Sequence, residues 1–483
     1  MFLGIDLGTS SLKAVLVDTD ERVVAEASEP LTVSRPQPLW SEQSPEDWWQ
    51  ALDRVLRRLK AERPAEMAGA RGLGLSGQMH GAVLLDAQDR VLRPAILWND
   101  GRSGAECRLL EEREPRSRAI TGNLAMPGFT APKLVWVQRH EPEIFAGIAK
   151  VLLPKDYLRL RLTGEPISDM SDSAGTLWLD VAARRWSQAM LDATGLSKTA
   201  MPRLVEGSEP GGVLRDTLAT EWGLPKGVVV AGGAGDNAAG AVGIGAITPG
   251  QGFLSLGTSG VIFTTSAAYS ANPTQAVHSF CHALPGLWHQ MAVMLSAASS
   301  LSWVSGVTGT TEAALLDEIA NETDRPGEVV FLPYLSGERT PHNDPQATGL
   351  FAGLTHGTRR SDLGRAVLEG VGFSFADGLA ALEAVGPRIE TLSVIGGGAR
   401  SALWGEILAA ILDRPLEYRA GGERGGAFGA ARLARLAVTG EAPEALCKPP
   451  ALERVVTPRA EWREAYQRLY ARYRAAYRRE GNA

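Results

Sequence analysis

Two stretches half a chain apart repeat one pattern. Residues 2–17 read FLGIDLGTSSLKAVLV, and residues 252–265 read GFLSLGTSGVIFTT. Each is a strand-forming run, a Leu-Gly-Thr-Ser turn and a second β-rich run, which predicts two hairpins. Gly8 and Gly257 permit turns that a Cβ would crowd. The small turn residues leave backbone N–H groups and hydroxyls free to face an anion. Each hairpin is therefore a phosphate-loop candidate outside the GxxxxGK[ST] pattern. Asp6, at the end of the first strand, is suited to holding a metal ion or a water beside that anion. Duplicated domains closing on one nucleotide are one reading. Chance recurrence of four small residues before a strand is the other.

At 483 residues the chain exceeds the roughly 250–300 that one core supports, so two domains are expected. A charged content of 22% and a net charge of −6 leave no basic surplus for nucleic acid or a membrane surface as partner. Cys107, Cys281 and Cys447 are too few for a disulfide scaffold and fit a reducing, cytoplasmic setting. The chain enters a strand at once, so no secretory leader is expected. No run of about 18 uninterrupted apolar residues predicts a membrane span.

Strand and helix patterns alternate along the chain. A strand is expected over 23–33, and a helix follows Ser44-Pro45-Glu46-Asp47. The strand over 72–76 ends in Gly77-Gln78-Met79-His80-Gly81, a candidate binding loop. For His80 a surface-turn histidine is an even alternative. A second polar turn covers 98–102. Residues 168–176, SDMSDSAGT, form a polar segment whose Asp169 and Asp172 could bind a ligand, although a solvated loop is the commoner explanation. The strand over 228–231 leads through glycines to Asp236 and Asn237, where a helix begins. Asp236 reads both as an N-cap and as a base that substrate can approach closely. Later, the strand over 391–395, Gly396-Gly397-Gly398 and a helix over 401–412 make a nucleotide-binding corner. Residues 421–431, GGERGGAFGAA, are another glycine-rich turn entering a helix. The terminal 459–479 helix aligns Trp462, Tyr466, Tyr470, Tyr473 and Tyr477 on one face for packing. His278, Cys281 and His282 lack the spacing and the second cluster of a tetrahedral metal site.

Together these stretches resemble the FGGY family of carbohydrate kinases, over nearly the whole chain. Residues 128–140, with Lys133 and Trp136, are similar to one family signature, and residues 349–369 to the other. The resemblance implies an α/β chain of two actin-like (ribonuclease H-like) ATPase domains with a central cleft. Their expected bounds are 1–246 for the sugar-binding half with the catalytic base, 247–440 for the nucleotide-binding half, and 441–483 for a helical extension. SGQMHGAVLLD, ILWNDGR and LPYLSGERTPHNDP are most similar to members that phosphorylate D-xylulose. Glycerol-phosphorylating members carry Arg-Glu where this chain has Met79-His80.

Carried over by position, the resemblance makes Asp236 the general base, with Met79, His80 and Asn237 around the ketose. It places Asp6 near Mg²⁺ and the transferred phosphoryl group. Thr9 and Thr258 fall on the phosphate hairpins, and Gly397 and Gly398 on the adenosine corner. ATP, Mg²⁺, a cytoplasmic setting and a homodimer are implied in the same way. A helix N-terminus is expected to favour ionised Asp236, and domain closure to exclude water. Two departures stand out: Ala410 where members often carry Asp, and Asp413 where glycine is common. The alternative substrate is another ketose or polyol, such as ribulose. The alternative class is an actin-like regulatory protein without sugar turnover.

Overall fold

A computed structural model describes residues 1–322, 325–421 and 425–480. Part of the glycine-rich turn at 421–431 lies outside the described residues. The N-terminal half is built on β1 (Phe2–Leu7), β2 (Ser11–Val17), β3 (Val23–Pro30), β4 (Gly72–Gly77), β5 (Pro210–Val213) and β6 (Val229–Ala231). Their order across the sheet is β5-β6-β4-β1-β2-β3. The second half uses β7 (Gly252–Leu256), β8 (Gly260–Ser266), β9 (His278–Cys281), β10 (Trp288–Met294), β11 (Leu392–Ile395), β12 (Leu416–Arg419) and β13 (Leu452–Val456), in the order β9-β10-β8-β7-β11-β12-β13.

The two sheets share one plan. In the first, β1, β2 and β3 are antiparallel neighbours, β4 and β6 add in parallel, and β5 closes antiparallel. In the second, β7, β8 and β10 are antiparallel, β11 and β12 add in parallel, and β13 closes antiparallel. The repeated Leu-Gly-Thr-Ser turns are therefore the equivalent hairpins of a duplicated α/β sheet.

Period-two alternation decides what each face of the first sheet meets. Leu3, Ile5 and Leu7 are buried in one cluster with Trp48, Leu52 and Val55 of α1 (Pro45–Glu62). Phe2 faces the other way, onto Ala427, Phe428 and Ala431 of α5 (Gly425–Thr439), with α2 (Asp236–Ile244), α3 (Arg360–Glu383) and α4 (Ala402–Leu412) lying between α1 and α5 in the chain. A Cβ on Gly4 would collide with the Ala427 carbonyl, and one on Gly74 with the Ala430 carbonyl. Glycine in these two strands lets a helix from the second half lie directly on the first half's sheet.

The final helix α6 (Arg463–Glu480) packs as expected. Trp462, Tyr466 and Tyr473 are buried in the second half's core, and the Tyr466 hydroxyl donates to Glu369 at 3.1 Å. Asp413 ends α4 at φ 51°, the left-handed conformation that explains a glycine preference there. Ala410 is buried in the same core.

Residues 168–176 depart from the solvated-loop reading. Ser168, Asp169, Ser171 and Asp172 are all buried. The compensating charges come from another element: Lys155 Nζ lies 2.7 Å from Asp156, 2.7 Å from Asp169 and 3.1 Å from Asp172. Burial pulls the Lys155 ammonium down, but those three carboxylates more than offset it and raise it. Burial also raises the Asp172 carboxyl well above the ordinary carboxylate range.

Candidate active site

Asp6 projects from the face of β1 that carries Phe2 and Gly4, towards the start of α5. Its Oδ1 accepts the Ser76 hydroxyl at 2.8 Å. Gly426 leaves room for this contact, since a Cβ there would stand 2.5 Å from Ser76 Oγ and 2.9 Å from Asp6 Oδ1. Burial pushes the Asp6 carboxyl up, against the pull of Ser76 and Lys13.

Asp236 opens α2, whose Ala238, Ala239, Gly240 and Ala241 are small and buried. Its Oδ1 accepts the Asn237 backbone N–H at 2.6 Å and the Asn237 side-chain amide at 2.8 Å. Burial, and then the charge of Asp6, raise the Asp236 carboxyl to about 6. This corrects the expectation from the helix N-terminus: desolvation and a like charge outweigh the helix dipole. A carboxyl at about 6 is still ionised at neutral pH, and is a stronger base than an ordinary aspartate.

The turn over 77–81 supplies the neighbouring wall. Met79 is buried and packs so closely on Gly235 that a Cβ there would lie 2.8 Å from its sulfur. His80 takes φ 69°, and its Nδ1 lies 2.6 Å from the Gly175 carbonyl. Burial pushes the His80 imidazole down to about 3, with Lys133 and Arg339 adding to the effect. A neutral ring whose Nδ1–H donates to Gly175 leaves Nε2 as an acceptor. Beneath the turn, Lys133 donates to the carbonyls of His80 and Gly128, both at 2.8 Å.

Met79, His80, Asp236 and Asn237 line one cavity of about 220 Å³, which also receives Trp98, Phe129, His278 and Arg339. All four sugar-site residues expected from sequence are thus brought together. Thr258, Gly397 and Gly398 share a second, larger cleft of about 700 Å³ in the C-terminal half. Thr9 stands apart from that cleft. Its hydroxyl donates to Gln78 at 3.1 Å and accepts the Trp98 indole N–H at 2.9 Å, between the first hairpin and the cavity.

Supporting residues tie the site to the buried charges. The Arg159 guanidinium binds the carbonyls of Ala231 and Gly232, and Ser171 Oγ accepts the Gly235 N–H at 3.2 Å. The segment 168–176 therefore contacts both stretches that line the cavity, through Gly235 on one side and through Gly175 and His80 on the other. Sequence reasoning singled out Asp169 and Asp172 but missed Lys155 and Arg159, and no local pattern marks a lysine that will meet carboxylates from another element. It also missed Arg339, Phe129 and His278 as cavity residues. Arg339 lies in a polar loop whose composition signals a loop but not its destination.

Comparison with known proteins agrees over the full length. The model of the FGGY family of carbohydrate kinases, N-terminal domain, matches residues 1–243, and the C-terminal domain model matches residues 252–438. The chain is 57% identical to a xylulose kinase of Escherichia coli (strain K12), over 99% of this chain and 98% of that protein. Among solved structures it resembles a xyloylose kinase from Brucella ovis, with a TM-score of 0.98 at 54% identity over 100% and 99% of the two chains. A xylulose kinase from Rhodospirillum rubrum superposes with a TM-score of 0.91 at 33% identity, covering 99% and 98%. The fold is the actin-like, ribonuclease H-like ATPase fold of these sugar kinases. With both halves matched, and over half of its residues shared with a full-length relative, this chain belongs to the FGGY family of carbohydrate kinases.

Proposed function

We propose that this kinase transfers the γ-phosphoryl group of ATP to the terminal hydroxyl of D-xylulose, giving D-xylulose 5-phosphate and ADP. One observation carries the reading. Asp236 lines the cavity with Met79, His80 and Asn237, while its charge is felt with that of Asp6 on the first phosphate hairpin. Acceptor and phosphate sides therefore meet at one carboxylate. The relatives named xylulose kinases favour D-xylulose as the sugar.

Asp236 accepts the proton of the attacking hydroxyl, and Asn237 holds the carboxylate in place through two hydrogen bonds. Phosphoryl transfer needs in-line placement and charge neutralisation more than covalent help. Thr9 and Thr258 meet the phosphates from the two hairpins, and Gly397 and Gly398 meet the adenosine. Asp6 is a single desolvated oxygen ligand, and among the described residues no group of three or more acidic, His or Cys side chains could hold a metal alone. That donor set fits Mg²⁺ arriving with ATP, which takes one or two carboxylates plus phosphate oxygens. When bound, the ion supplies neutralising charge at the transferred group.

The test is ADP release from Mg·ATP with D-xylulose, L-ribulose, D-ribulose, glycerol or no sugar. A strong preference for D-xylulose is expected. Preference for another sugar would move the acceptor while keeping the kinase, and sugar-independent ADP release would overturn the reading.

A further inference from the structure

A run of side-chain hydrogen bonds links the first hairpin to the sugar cavity, with an indole at each end. Gln43, just ahead of α1, accepts the Trp48 indole N–H and the Gln78 side-chain amide on Oε1, both at 3.0 Å. Gln78 Oε1 accepts the Thr9 hydroxyl at 3.1 Å. Thr9 Oγ1 in turn accepts the Trp98 indole N–H at 2.9 Å. Both glutamines are buried. Gln78 is also pinned by its backbone N–H, which donates to the Leu7 carbonyl at 2.8 Å. It stands immediately before Met79 and His80 of the sugar turn.

The direction of every bond in this run follows from chemistry. An amide can face either way round, so it has to be read from a partner of fixed character. An indole nitrogen only donates, so the Gln43 atom that meets Trp48 is its oxygen. The other end of Gln43 agrees: it faces the carbonyls of Thr9 at 2.8 Å and Thr32 at 3.3 Å, which only accept. The Gln78 atom that meets the Gln43 oxygen is then its NH₂, and the atom that meets Thr9 is its oxygen. Thr9 must therefore donate to Gln78, while the donor-only Trp98 makes it accept as well. The single hydroxyl proton of Thr9 is committed, and none is left for a phosphate oxygen. Trp98 is 40% exposed and lines the sugar cavity. Its indole N–H is the one polar atom of its side chain, and Thr9 holds it.

Resting on the kinase reading above, we infer that Thr9 is a positioning residue for the sugar side: its hydroxyl, oriented by Gln78, holds the Trp98 indole on the cavity wall, and Thr9 meets the phosphate with its main chain. A wall already held in place spares the sugar the cost of ordering it on binding.

The experiment measures the KM of D-xylulose and of ATP in wild type, Thr9→Val, Thr9→Ser, Trp98→Phe and the Thr9→Val, Trp98→Phe double variant. Thr9→Val keeps the shape and removes the hydroxyl. It should raise the D-xylulose KM roughly 3- to 10-fold, the scale of one neutral hydrogen bond, and leave the ATP KM within about twofold. Thr9→Ser, which keeps the hydroxyl, should behave as wild type. In the Trp98→Phe background the indole N–H is already gone, so Thr9→Val should add less than about twofold to the sugar KM. Thr9→Ala removes the same hydroxyl and takes the place of Thr9→Val if that variant does not fold. A raised ATP KM with the sugar KM unmoved would return the hydroxyl to the phosphate and overturn the assignment. A full additive loss in the double variant would overturn it too. Wild type that turns over no sugar would instead overturn the underlying kinase reading, so that failure shows in the wild type and the other only in the variants.

Discussion

The buried ammonium of Lys133 donates to the main-chain carbonyl of His80 at 2.8 Å, and so holds the turn over 77–81 from beneath. With its second bond to Gly128, it joins the turn over 77–81 to the segment that brings Phe129 to the cavity. Lys133→Met should raise the KM for the sugar roughly tenfold, as for one lost bond to a charged donor. The KM for ATP should not move, because the cleft proposed for the nucleotide, lined by Thr258, Gly397 and Gly398, shares no residue with this contact. Steady-state kinetics with each substrate varied in turn would settle it, and an equal change in both constants would count against a local role.

Asp6 and Asp236 repel one another through protein that desolvates both. Asp236 should titrate near pH 6 in the free enzyme, and lower once Asp6→Asn removes the like charge. Carbon-13 NMR of the aspartate carboxyls reads this directly. An unmoved Asp236 in Asp6→Asn would mean that burial alone sets its value. Asp236→Asn should cut turnover roughly 10²- to 10⁴-fold, the usual contribution of a general base, while ATP binding by calorimetry persists.

Lys155 holds together charges that its own helix does not explain. Lys155→Met would leave Asp156, Asp169 and Asp172 without their shared ammonium. Removing one partner of a buried ionic group costs about 3–5 kcal/mol, so a large drop in the denaturant midpoint is expected. A change below about 1 kcal/mol, the scale of an exposed pair, would show that the carboxylates simply take up protons.

Burial raises the Glu338 carboxyl to about 7 from an ordinary value of 4.5. The stability gained by keeping its proton is complete below about pH 4.5 and is lost as pH rises through 7. Glu338→Gln makes similar bonds and has no such loss. Its melting temperature relative to wild type should therefore climb between pH 5 and pH 8, with a ceiling of about 3 kcal/mol for that shift. A pH-independent difference would show that the carboxyl ionises freely in place.

The legible parts were those whose signal is local. Leu-Gly-Thr-Ser before a β run announced both hairpins, and glycines at strand ends announced the turns of Met79, His80 and Asp236. The burial of residues 168–176 was not legible, because Ser-Asp-Met-Ser-Asp looks solvated until Lys155 and Arg159 arrive from another helix. Arg339 was hidden for the same reason. The upward shift of Asp236 was not legible, because the helix N-terminus is visible in sequence, whereas desolvation and the neighbouring Asp6 exist only once the chain has folded.

The seating of α5 on Gly4 and Gly74 has a consequence for how this molecule can be divided. The two family domain models match residues 1–243 and 252–438, yet a gene fragment ending between them would encode a sheet without the α5 cover over Phe2, Gly4, Val15 and Gly74. Its cover is written more than 170 residues later. The inherited modules and the autonomous pieces of this protein are therefore not the same objects.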